Sequence, residues 1–234
     1  MALPKLNNTQ YELQLPSTGE SIKFRPWLIK EQKLLMMAQE SDDAQEIERA
    51  FANIVTECTF GAIEPYSAPM FDIEYIFLKL RGKSVGDSVK LNVLCPDDEK
   101  TRVEIELNLE DVGIQMKEEH TNVIDINDSV KIVMRYPTLK DMTGFDADGK
   151  VKQIFSMIAS CISEIHDGKT VYNKVDTTEK EMNDFVESFS QEDFEKLTNF
   201  FDTMPKLLHE VEVKNPKTKK KNNIVIEGLE SFFV

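Results

Sequence analysis

Between Phe71 and Val112 the apolar positions change period in a way that outlines one structural unit. Phe71, Ile73, Tyr75, Ile76, Phe77, Leu78 and Leu80 make an amphipathic helical stretch, and Gly82 and Gly86 then break it. Alternation takes over in Ser88 to Leu94 and in Arg102 to Leu109, with Cys95, Pro96, Asp97 and Asp98 as turn residues between them. The stretch predicts a helix followed by a β-hairpin.

Upstream, Tyr11, Leu13 and Leu15 alternate, Pro16 to Gly19 supplies turn chemistry, and Ile22 and Phe24 alternate again up to Pro26, which predicts a first hairpin. Leu28 to Gln39 predicts a helix with Leu28, Leu34, Leu35 and Ala38 on its apolar stripe and Met36 and Met37 widening it. A second helix follows the N-cap residues Ser41 and Asp42 and runs to Cys58, with Ile47, Ala50, Phe51, Ile54 and Val55 on one face. Thr59 to Pro69 reads as a loop and Asp111 to Asn122 as an acidic connector. Downstream, Val123 to Tyr136 predicts a strand closed by Pro137, and Val151 to Ile165 a helix stopped by Asp167 and Gly168. Thr177 to Ser188 and Ser190 to Met204 predict two more helices. The end is a hairpin of Leu207 to Lys214 and Ile224 to Leu229 about Asn215, Pro216 and a lysine run.

The order of elements recurs. Ser21 to Phe24 leading to Pro26 matches Ser129 to Ile132 leading to Pro137; two helices follow in each half, the first bearing or ending in a cysteine, Cys58 and Cys161, and an aromatic helix comes next in both halves. Leu91, Val93 and Pro96 align with Val211, Val213 and Pro216, while the return strand needs a one-residue shift that sets Val103 and Ile105 against Ile224 and Ile226. The expected fold class is α+β, with two similar units, residues 1–116 and 117–234, each carrying a strand or hairpin, a helical layer and a protruding C-terminal hairpin. Chance reuse of strand, helix and hairpin is the competing explanation.

Composition narrows the function. At 234 residues, 41% apolar and 30% charged, the chain is that of an ordinary globular protein. No apolar run approaches the roughly 20 residues of a spanning helix, and residues 1–9 lack a signal-peptide core, so a cytoplasmic origin and no membrane partner are expected. Three cysteines predict reduced thiols. A net charge of -14 argues against nucleic acid. One segment opposes it: Lys214, Lys217, Lys219, Lys220 and Lys221 form a basic tip, read either as a solvated turn or as a docking point for an acidic partner.

Catalytic and metal chemistry find little support. Cys95 is a possible remnant of a zinc knuckle, but an aspartate stands where its second thiolate belongs, and the turn at Asn215 to Thr218 has none. Asp146, Asp148 and Gly149 suggest a calcium loop, yet Gly144 and Phe155 would fall at its first and twelfth ligand positions. His120, His166 and His209 share no spacing with a nucleophile and read as surface or loop residues, and the nine glycines form no phosphate loop. No enzyme, cofactor or metal is expected. The ten methionines are ordinary core filler or, at Met36 and Met37, an adaptable surface for a partner.

Ala2 to Leu6, Leu15 to Gly19, Phe24 to Pro26 running into Leu28 to Glu31, Phe71 to Gly86, and Glu227 to Leu229 with Phe232 and Phe233 together resemble the baseplate hub assembly and hub subunit proteins of T4-like tailed phages. The resemblance implies a non-enzymatic protein that helps build the central hub of a contractile tail baseplate, either as an assembly factor or chaperone in the host cytoplasm or as a permanent virion subunit. Its partners would be other hub or tape-measure proteins, with self-association through acidic and lysine tips as a further route. The expected contacts are Phe77, Cys95, Pro96, Lys217, Lys219, Lys220, Lys221, Phe232 and Phe233. A degenerate zinc-knuckle module is the alternative of another class.

Overall fold

A computed structural model describes residues 8–41, 43–142 and 150–232. The expected contributions of Ala2 to Leu6, Asp42, Phe233 and the aspartates near Gly149 lie outside the described residues. The fold is α+β, built of helices and small antiparallel sheets.

The chain divides into two compact units. One takes in the chain up to Gln115 together with Lys206 onward, and the other is Met116–Pro205. This division sets the last hairpin with the first half of the chain, where the expected unit of residues 117–234 places it in the second. Its apolar side chains are the reason: Leu207, Ile226 and Phe232 are buried in one cluster with Leu78, Val89, Leu91 and Leu107.

In the first unit, β1 (Tyr11–Gln14) and β2 (Ser21–Phe24) form a hairpin that lays Leu13, Ile22 and Phe24 into the core. Next come α1 (Ile29–Ser41), α2 (Ala44–Cys58) and α3 (Met70–Val85). The cap of α2 is Asp43 rather than the expected Ser41 or Asp42: its carboxylate accepts the Gln45 amide at 2.8 Å. The organising element is α3. Ile73, Ile76, Phe77 and Leu80 point into the core shared with β1, β2 and α2, while Leu78 enters the cluster shared with the later hairpins. Four of its aliphatic side chains, Ile73, Ile76, Leu78 and Leu80, are 0% exposed, and each contributes about 1.5–3 kcal/mol by burial. The helix continues through Gly82, where the expected break does not occur, and ends at Gly86 with φ 128°. A Cβ at 82 would lie 2.5 Å from Asp87 Oδ1, so a larger residue there would push the exposed Asp87 side chain aside.

The strands β3 (Ser88–Leu94) and β4 (Arg102–Asn108) form the first long hairpin, and β5 (Gly113–Gln115) is a short strand inside the expected connector. It pairs with the returning chain, Leu207 opposite Ile114.

The second unit opens with β6 (Val123–Asp125) and β7 (Val130–Met134), a hairpin where one strand was expected. Asn127 makes the turn by accepting the Ser129 and Val130 amides at 2.9 and 3.0 Å. The single turn α4 (Leu139–Met142) precedes α5 (Lys150–Cys161). The helix expected to reach Ile165 stops at Cys161. Ile162–Asp167 is instead strand β8, turned at Gly168 (φ 58°) into β9 (Thr170–Asn173), so the sheet runs β6-β7-β8-β9. Then come α6 (Glu179–Glu187), held by a Thr178 and Glu181 capping box, and α7 (Gln191–Thr203), capped by Ser190. Ile132, Ile158, Ile162, Leu197 and Phe200 form this unit's core.

After the second unit, β10 (Lys206–Lys214) and β11 (Lys221–Glu227) make the last hairpin, and a short 3-10 turn at Leu229–Phe232 packs back on the first unit. Leu229 donates its amide to Glu74 of α3 at 3.2 Å.

Candidate interaction surface

The two long hairpins end in turns of the same design. In the first, Cys95 N–H donates to Thr101 O (2.8 Å), Glu99 N–H donates to Cys95 O (3.0 Å), and Glu99 has φ 51°. In the second, Asn215 N–H donates to Lys220 O (2.9 Å), Lys219 N–H donates to Asn215 O (2.9 Å), and Lys219 has φ 65°. The second loop is one residue shorter, which corrects the expected alignment of the return strands. Leu91 pairs with Ile105 and Val211 with Ile224, so it is Ile105 and Leu107 that answer Ile224 and Ile226.

Carboxylate and amide side chains fix both turns. Asp98 accepts the amides of Lys100 and Thr101 at 3.1 and 2.9 Å, together with the Thr101 hydroxyl at 2.6 Å. These bonds hold its carboxyl well below the usual carboxylate range. Asn215, 0% exposed, accepts the amides of Lys217 and Thr218 at 2.8 and 3.2 Å. Between the turns stands Asp97. Its Oδ1 accepts from Asn215 Nδ2 (2.8 Å), its Oδ2 accepts from the Thr218 hydroxyl, and its own amide donates to Asn222 Oδ1 (3.2 Å). Hydrogen bonds from Thr218 and Asn215 lower its pKa. The acidic and lysine tips therefore meet within one molecule, where self-association was the expected route.

Burial sorts the expected contact residues. Phe77 is 3% exposed, stacked on Phe51 at 4.4 Å, and both Cys95 and Phe232 are 0% exposed, so these three are core and not surface. Pro96, Lys217, Lys219, Lys220 and Lys221 are exposed. Lys221 pairs with Glu212 at 2.8 Å. Lys217, Lys219 and Lys220 have no acidic partner among the described residues, and they carry concentrated positive charge on the tip.

A second surface lies on α1, where Met36 and Met37 take the surface position of their two expected readings. Only Glu31 and Ala38 of α1 are buried. Ile29, Leu34, Met36 and Met37 are 83%, 37%, 52% and 57% exposed and stand among the exposed Lys30, Lys33 and Glu40, a mixed face on which these apolar side chains lie open to solvent.

Two internal clasps hold the helical layers, and neither is among the expected features. Arg25, 8% exposed, donates to Glu31 at 2.9 Å and to Pro26 O at 3.1 Å, and its backbone amide donates to Cys58 O at 2.9 Å. In the other unit Arg135 donates to Asp141 at 2.7 Å and to Tyr136 O at 3.1 Å, and its amide donates to Cys161 O at 2.8 Å. Each acid also caps the residue three before it: Glu31 accepts from Leu28 at 2.7 Å and Asp141 from Thr138 at 2.8 Å. The signal available in the sequence was an arginine six residues before an acid, directly after a strand, in both halves. Burial pushes the thiols of Cys58 and Cys161 up to about 11, so they are packing groups rather than nucleophiles.

His120, expected on a surface or loop, is half-buried. Its ring nitrogens lie 2.9 Å from Thr203 Oγ1 and 3.2 Å from Tyr136 Oη, and its ring packs on Phe200. Desolvation lowers its pKa from the ordinary 6.5. The unfolded chain takes up the proton more readily, so this contribution to stability is complete above that value and is lost as pH falls through the folded pKa. Unfolding free energy is expected to decline as pH falls below the ordinary 6.5, and His120→Gln to flatten that slope in urea titrations on the acid side of neutrality. Among the described residues no three His, Cys, Asp or Glu side chains group as metal ligands, and no helix is long and apolar enough to cross a membrane.

What these features define is an α+β protein with two exposed features suited to protein contacts, a braced pair of hairpin turns that presents Lys217, Lys219 and Lys220, and the exposed Ile29, Leu34, Met36 and Met37 of α1. The family comparison is specific: residues 8–234 match the model of the T4 bacteriophage base plate protein family, and the chain belongs to that family. No curated protein and no solved structure matches the chain.

Proposed function

We propose that the protein is a non-enzymatic assembly factor for the central hub of a phage tail baseplate, acting in the host cytoplasm. It docks on hub or tape-measure proteins through the lysine tip and the exposed apolar side chains of α1. The observation that carries the reading is α1 itself: the helix packs on the core through Leu35 and buries Glu31 and Ala38, and it leaves Ile29, Leu34, Met36 and Met37 to solvent. Methionine suits such a face because its flexible thioether adapts to more than one partner surface. Family membership supports the setting, a phage baseplate. The twin arginine clasps and twin turns support an origin by internal duplication.

Affinity purification of the tagged chain from infected cells is expected to enrich a hub or tape-measure protein. Leu34→Ser/Met37→Ser is expected to lower that recovery at least about tenfold, the loss of about 1.4 kcal/mol, with the melting temperature unchanged. Mass spectrometry of purified particles completes the test. Depletion from finished virions supports an assembly factor, stoichiometric presence makes the protein a permanent hub subunit, and recovery of no baseplate protein sinks both.

A further inference from the structure

The two hairpin tips hold four side chains at the spacing of a pair of metal knuckles. Cys95 and Asp98 stand three apart on one turn, and Asn215 and Thr218 three apart on the other, the separation at which a tight turn delivers two thiolates to one zinc ion. Both turns share their closing hydrogen bonds and a left-handed residue at the same place, Glu99 and Lys219. The amides that would support the first thiolate of a knuckle are taken by a side-chain oxygen: Lys217 and Thr218 donate to Asn215 Oδ1. On the other turn Lys100 and Thr101 donate to Asp98 Oδ1. Across the gap Asp97 reaches both positions of the opposite turn, Asn215 at 2.8 Å and the Thr218 hydroxyl.

We infer that the tips are a metal-free version of a paired four-ligand knuckle, in which the Asp97 carboxylate does the joining that a zinc ion does between two cysteine turns. A metal ties two turns by bonding all four ligands. Here Asp97 ties them by hydrogen bonds while Asp98 and Asn215 satisfy their own turns' amides. Cys95, buried and without a second thiolate, is left as packing. The consequence is mechanical: residues 95–101 and 215–220 form one head, and the lysines at 217, 219 and 220 are presented on a braced mount rather than on a loose loop.

The inference is independent of what the lysines bind, because its tests use the full-length chain without a partner. Asp97→Asn keeps the shape and removes the charge. It is expected to speed amide exchange in residues 95–101 and 215–220 at least about tenfold, leaving residues 116–205 unchanged. Equal protection in variant and wild type would overturn the clasp. The variant Asp98→Cys/Asn215→Cys/Thr218→Cys, which keeps Cys95, is expected to take up one cobalt(II) or zinc per chain and to give the absorption bands of tetrahedral thiolate cobalt, whereas the wild type takes up none. If the triple variant fails to fold alone, refolding with zinc decides, since metal binding and folding are then coupled. Adding Asp97→Ala to the metal-loaded variant is expected to leave tip protection intact. Absence of metal binding after both routes, or loss of protection in the loaded quadruple variant, would show that the four positions do not converge.

Discussion

Arg25→Ala is expected to destabilise the first unit by about 3–5 kcal/mol, the range for a buried ion pair that loses one partner. The Glu31 side chain is 3% exposed and accepts from Arg25 and from the Leu28 amide at 2.9 and 2.7 Å. Lys30 also reaches it, at 3.2 Å, but that side chain is 63% exposed and leaves most of the desolvation of the carboxylate uncompensated. The arginine further ties Pro26 O and lies 3.6 Å from Cys58 Sγ, so its loss also frees the junction between β2, α1 and the end of α2. Domains of this kind are stable by only about 5–15 kcal/mol, so a large share of the fold's margin is at stake. Arg25→Met/Glu31→Leu is expected to recover much of the loss, because an apolar pair leaves no buried charge behind. Guanidinium unfolding of the three proteins provides the measurement. A loss below about 1 kcal/mol would mean that water reaches Glu31 and that the pair behaves as a surface bridge. The equivalent Arg135→Ala should cost less, since the Arg135 side chain is 38% exposed.

The second large effect is expected in binding rather than stability. Lys217→Glu/Lys219→Glu/Lys220→Glu reverses three exposed charges that have no acidic partner among the described residues, and it leaves Lys221 paired with Glu212. Affinity for the baseplate partner should fall at least about tenfold at low salt, with a slower on-rate, and the difference should shrink as salt screens the charges. Stability should stay within about 0.5 kcal/mol per site, as is usual for surface substitutions. Asp97→Asn should weaken the same binding less, because it loosens the mount without removing the charges. If binding of the triple variant equals that of the wild type, the lysines act only as a solvated turn that discourages edge pairing.

How much of this was legible in the chain differs from element to element. The long hairpins were readable because strand alternation and turn residues are local signals, and β3 and β10 begin within one residue of their expected starts. The Ile162–Asp167 segment was misread as helix because Ile162 and Ile165 satisfy helical spacing as well as a strand. Its partners, β7 and β9, decide the matter through a sheet that no local window contains. In α1 the expected stripe is covered at Leu28, Leu35 and Ala38 and open at Leu34, because periodicity shows that apolar residues share a side and not how far another element covers it.

The unit from Phe71 to Val112 marks the boundary most clearly. Its helix, its hairpin and even the knuckle-like form of its turn follow from residue spacing and turn chemistry within a few neighbours. That α3 enters two cores, that the second hairpin packs with the first unit, and that Asp97 closes on Asn215 and Thr218 depend on side chains more than a hundred residues apart. Backbone propensity acts over a few residues, so it shapes each turn alone. Burial and charge pairing act through space, and only the folded chain brings the two turns together.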